Sequence, residues 1–113
     1  MPSQVFKSKR HDTAIALPMT FTPPAGLNWN LQTAGVTMRF IARLPNATSP
    51  KVVSTEVTAT APWACQFAPV AADVDTIGSY DVEVEVTNSS GKKLTLPTEG
   101  WLSWVINPDL DNS

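Results

Sequence analysis

From Tyr80 to Thr87 apolar and polar residues alternate without a break: Tyr80, Val82, Val84 and Val86 share one parity, and Asp81, Glu83, Glu85 and Thr87 the other. Successive side chains of a strand point to opposite sheet faces, so this run predicts a strand with one dry and one wet side. Asn88-Ser89-Ser90-Gly91 follows as a polar connection, with Gly91 able to take the left-handed backbone that such hairpins require. Residues 92–96 are then expected to return as the partner strand.

The same period of two recurs elsewhere. Residues 5–10 form a first strand ending in Lys7, Lys9 and Arg10. Residues 14–21 are apolar but contain Pro18, which removes a ladder donor and predicts an edge strand or a bulge. In residues 35–44, Val36, Met38, Phe40 and Ala42 face one way, and Thr37, Arg39, Ile41 and Arg43 the other. Residues 51–60 alternate and are rich in valine and threonine, which suit a pleated surface. Residues 62–68 and 101–106 read as two more short strands, and residues 71–78 as a loop or one helical turn. Ten prolines punctuate the chain and disfavour helix interiors. Seven to eight short strands at regular spacing, with no major helix, predict an all-β fold: an Ig-like antiparallel β-sandwich in the loose sense, without the Cys…Trp…Cys pattern of true immunoglobulin domains. With 113 residues one domain is expected, ordered over about 5–107 and ending in a tail at 108–113.

Composition narrows the function classes. A formal charge of −2 lacks the basic footprint of an electrostatic nucleic-acid binder. The apolar run before Pro18 is too short for a signal-peptide core and far too short to span a bilayer, so passage through a secretory pathway is not expected. Cys65 is the sole cysteine, which rules out an internal disulfide, and its apolar neighbours Trp63, Ala64 and Phe67 predict a buried core residue.

Candidate chemistry is sparse. Asp81, Glu83 and Glu85 stand roughly 7 Å apart along one strand face, a spacing that overlaps the carboxylate separation of about 6.5–9.5 Å in inverting glycosidases. Those carboxylates must flank a bond, however, whereas three on one face point the same way. Lys92, Lys93, Arg39 and Arg43 are placed to balance them from neighbouring strands. His11, the only histidine, has Asp12 beside it but neither metal-ligand spacing nor a nucleophile. No phosphate loop, dinucleotide fingerprint or nucleophile elbow occurs. The expectation is no enzyme, no cofactor and no metal. Four tryptophans, Trp29, Trp63, Trp101 and Trp104, are the one compositional oddity. Trp101 and Trp104 have opposite parity, so one is expected in the core and the other at an edge or a partner.

Several pieces in order carry a resemblance: Asp12-Thr13 after a basic strand, Thr37-Met38-Arg39-Phe40, Gly78-Ser79-Tyr80 leading into the Glu/Val alternation, Gly91, Thr95-Leu96-Pro97, and Gly100-Trp101-Leu102. Together they resemble the N-terminal domain of tailed-phage baseplate upper proteins and its free-standing relatives among phage tail and neck proteins. The match runs over roughly residues 6–110. His11 stands where that family usually has glycine, and residues 48–68 match only as strand-like. The domain carries a receptor-binding arm in those proteins; none follows here, so a small adaptor or decorative subunit is expected.

The resemblance implies a structural protein of the virion, assembled in the host cytoplasm in the baseplate, tail or neck. Its partners would be other virion proteins and, as a homo-oligomer, its own copies, with no nucleic acid or membrane. The interface residues expected are Lys7, Lys9, Arg10, Trp29 and Trp104. The alternatives are a carbohydrate-binding or host-recognition module using exposed tryptophans, or a capsid decoration protein.

Overall fold

The computed structural model describes residues 4–109; residues 110–113 of the expected tail lie outside them. Nine strands and one short 3-10 turn follow in chain order: β1 Val5–Lys9, β2 Leu17–Thr20, β3 Thr37–Arg43, β4 Val52–Ser54, β5 Val57–Ala61, β6 Ala64–Phe67, the 3-10 turn Ala71–Val74, β7 Gly78–Thr87, β8 Lys93–Leu96 and β9 Leu102–Asn107. They form an all-β sandwich. The larger sheet has the order β1-β9-β7-β3-β4, with β8 also on β7, and the smaller has the order β2-β6-β5.

Each of the eight expected strands is present, and the ninth arises where residues 51–60 split. Val52 and Val57 differ in parity, so a continuous strand would turn one of them to solvent. Instead the chain crosses between sheets at Thr55 and Glu56, where Glu56 N–H donates to Ser54 Oγ at 3.1 Å and Val57 N–H to the Thr55 carbonyl at 2.8 Å. Val52 is then buried from the larger sheet, and Val57 packs on the same core from the smaller. One pairing departs from the antiparallel expectation: β1 runs parallel to β9, with Phe6 opposite Trp104 and Ser8 opposite Ile106. Pro18 lies on edge strand β2, where its missing donor costs no ladder bond.

Alternation builds the core. Tyr80, Val82, Val84 and Val86 from β7, Phe40 and Ala42 from β3, and Leu102, Trp104 and Ile106 from β9 are all buried from one sheet. Leu17, Met19, Cys65 and Phe67 meet them from the other. Phe40 and Phe67 stack across the two sheets with centroids 3.8 Å apart, and Trp104 sets its indole edge-on to both at 5.7 and 6.1 Å. Such aromatic pairs add roughly 0.5–1.5 kcal/mol beyond their buried area. The polar tips are satisfied: Trp104 Nε1–H donates to Ser8 Oγ at 3.0 Å, and the Tyr80 hydroxyl to the Thr76 carbonyl at 2.8 Å.

Three side-chain ties close the ends of the sandwich. Gln4 bonds both the N–H and the carbonyl of Thr20, joining β1 to β2. Lys51 bridges the Asp75 carboxylate at 2.8 Å and the Ala72 carbonyl at 2.9 Å, and this bond holds Asp75 below the usual carboxylate range. Arg10 bonds Asp109 at 3.2 Å, so the described start of the expected tail is anchored beyond β9.

Candidate functional site

The acidic row of β7 lies on the outer face of the larger sheet, turned away from the core. Its register against β3 is Asp81 opposite Arg43, Glu83 opposite Ile41, and Glu85 opposite Arg39. Every acid but the middle one therefore has an arginine beside it. Glu85 is paired within this sheet, with Arg39 at 3.0 Å and Lys93 at 3.8 Å. Asp81, Glu83 and Arg43 make no ion pair among the described residues.

An irregularity at the neighbouring position of the sheet gives this face its shape. β8 ends with Leu96 opposite Val84, and β9 begins with Leu102 opposite Val82. Residues 97–101 leave the ladder between them, beside Glu83. Because Leu102 points inward, the residue before it points outward, and Trp101 stands 42% exposed over the sheet. With Ile41, Arg43, Pro50, Asp81 and Glu83 it lines an open depression of about 290 Å³. Val53, paired with Ile41 on β4, is 50% exposed, and Val5 on β1 is 54% exposed. An indole, aliphatic side chains, two carboxylates and a guanidinium thus share a face with no layer of the described residues over it.

Of the expected interface residues, Trp104 is corrected. It is fully buried, because it shares the parity of Leu102 and Ile106 and its indole is the hub of the aromatic core. The accessible member of the pair is Trp101. Parity alone carried that signal: the apolar set around Trp104 is Leu102 and Ile106, whereas Trp101 shares its side with Ser103. Lys7 and Lys9 are exposed on the outer face of edge strand β1. Arg10 is drawn away from them by its bond to Asp109, and its Nε is buried without a partner among the described residues. Next to it His11 takes a left-handed backbone, φ 73°, and places Nδ1 3.7 Å from Asp109. Trp29 is half-buried against the core in the loop after β2. That loop is tied to the β5–β6 turn by Leu31 N–H donating to the Pro62 carbonyl at 2.9 Å. The structure therefore brings Lys7 and Lys9 onto the same outer face as Trp101, and leaves Arg10 and Trp29 off it and Trp104 on the buried inner face.

The three carboxylates lie side by side on one face of a single strand, β7. Cys65 lies in the core face of β6, where burial pushes its thiol up to about 12, so it stays protonated at neutral pH. No group of three metal-ligating side chains is present among the described residues. No protein-family model matches the chain, and no curated protein matches it in sequence.

Proposed function

We propose that the chain is a non-enzymatic structural subunit of a tailed-phage particle, in the tail, baseplate or neck, which docks onto other virion proteins through the outer face of its larger sheet. The observation that carries the docking role is the face itself: Trp101, Val53 and Val5 are exposed there beside Asp81, Glu83 and Arg43, which make no ion pair among the described residues. Apolar groups rimmed by charge mark interaction sites, and a partner would bury them and neutralise Asp81, Glu83 and Arg43. The resemblance supports the phage setting. Its most ordered pieces lie in this sheet: Thr37 to Phe40 open β3, Gly78 to Tyr80 open β7, Thr95 and Leu96 close β8, and Leu102 starts β9.

The test is quantitative mass spectrometry of gradient-purified particles of the phage encoding the chain. Peptides at a fixed ratio to the major capsid protein are expected, in low copy for a tail or neck ring. Absence from particles rejects the virion role. The depression under Trp101 favours a second reading, a saccharide stacked on the indole and held by Asp81, Glu83 and Arg43. A glycan array decides it: Trp101-dependent binding of one sugar class is its signature, and a blank array removes it.

A further inference from the structure

Resting on that docking reading, we infer that the partner on the outer face is a second copy of this chain, packed sheet to sheet about a two-fold axis. The charge pattern selects the axis. The acidic column of β7 lies directly beside the arginine column of β3, in register. An axis parallel to the strands and midway between β7 and β3 lays β7 of each copy over β3 of the other. Rotation about such an axis keeps each residue at its height along the strand. Asp81 therefore meets the second copy's Arg43, and Glu85 its Arg39. Glu83 falls over the second copy's Ile41, between those two arginines. An axis running along β7 would instead stack the acids on themselves, which is strongly unfavourable.

The apolar residues obey the same operation. Trp101 lies one strand position outside β7, beside Glu83, and Val53 lies one position outside β3, beside Ile41. The axis exchanges these two positions, so each copy's exposed indole lands on the other's exposed valine. Two independent sets, the charges and the apolar groups, are thus self-complementary under one symmetry element, as an isologous interface requires. Four strand positions overlap. β3 and β7 overlap over seven residues each, and β4 and the strand position facing it over three each, so at about 4.8 Å per strand and about 3.4 Å per residue the flat footprint is roughly 330 Å² per copy. Upright side chains raise the buried area above this flat value, into the small class of specific interfaces, below about 600 Å² per partner. The twist of each sheet crosses the two sets of strands at about 30°, which keeps the central row in register and splays the ends. β1, with Lys7 and Lys9, overhangs and stays open to other partners.

Sedimentation equilibrium with charge reversal tests this. Wild-type protein should dimerise. Asp81→Arg and Arg43→Asp should each weaken the dimer at least ~100-fold, since either change places two like-charge pairs across the interface. An equimolar mixture of the two variants should recover a dimer with one copy of each, because both cross pairs are then opposite in sign; contacts within a single chain cannot produce that recovery. Trp101→Ser, an exposed change clear of the core, should weaken the wild-type dimer at least ~10-fold and serves if a charge variant fails to fold. A wild-type monomer at about 100 μM overturns the inference. So does an undiminished dimer in the Trp101→Ser or charge variants, a mixture that stays monomeric, or a monomer that binds a saccharide through Trp101. A monomer found in particles would overturn the two-fold packing alone, and a dimer absent from particles would overturn the virion role alone.

Discussion

The two faces of the larger sheet use the same strands for opposite ends. On the inner face Trp104 is walled in by Phe40, Phe67 and Tyr80, and each polar tip there has a hydrogen-bond partner. On the outer face Trp101, three residues earlier, overlooks Ile41, Asp81 and Glu83, and Asp81, Glu83 and Arg43 stand without ion-pair partners among the described residues. The inner face is closed: its contacts are all made within the chain, so it determines the fold. The outer face is left incomplete, with apolar surface still hydrated and charges still seeking partners, so it is where an association can gain free energy.

That division predicts a steep contrast in stability. Trp104→Ala should cost ~3–5 kcal/mol through lost burial and a residual cavity, whereas Trp101→Ala should stay within ~0.5 kcal/mol, as surface changes do. Urea denaturation at a concentration where the protein is monomeric measures both, and equal losses would abolish the distinction between the faces. The next effect is alkaline. Burial raises the Cys65 thiol from its ordinary 9.0 to about 12, so the unfolded chain ionises first. Native stability is fully present below about pH 9 and falls as pH rises toward about 12, by about 1.4 kcal/mol per unit within that window. Tyr80, raised by the same desolvation, acts in the same direction. In Cys65→Ala the thiol's share of this alkaline loss should vanish, which denaturant titrations at stepped pH would reveal.

Smaller effects sharpen the comparison. A double-mutant cycle on Phe40 and Phe67, each changed to Leu, should return a coupling of ~0.5–1.5 kcal/mol from the cross-sheet stack. Smallest of all, Glu85→Gln removes the charge that pairs with Arg39 and Lys93 and should cost ~0.2–1 kcal/mol at low salt, fading as salt screens the pairs. A larger or salt-independent loss would show that the outer face contributes to the fold as the inner face does.

Most strands were legible in the amino-acid order because alternation records burial directly: β7 needs only its valines to declare which side is dry. The split of residues 51–60 was less so. Val52 and Val57 both look like strand residues, and only a core shared by two sheets explains why the chain crosses between them. The parallel pairing of β1 with β9 was not legible either, because it joins the two ends of the chain. In the candidate site, the outward direction of Asp81, Glu83 and Glu85 and the opposite parity of the two tryptophans could be read beforehand. Which tryptophan is buried is also readable, from the parity that Trp104 shares with Leu102 and Ile106, against the expectation of Trp104 as an interface residue.

Local sequence, then, determined the strands, their wet and dry sides and the turns, because those depend on neighbours one or two residues away. Tertiary structure alone decided that Asp81 and Glu85 stand in register with Arg43 and Arg39, that residues 97–101 leave the ladder beside Glu83, and that Trp101 overlooks the resulting row. Register between strands is set by how the whole inner face packs, and a surface assembled from five strand positions exists only once that packing is complete.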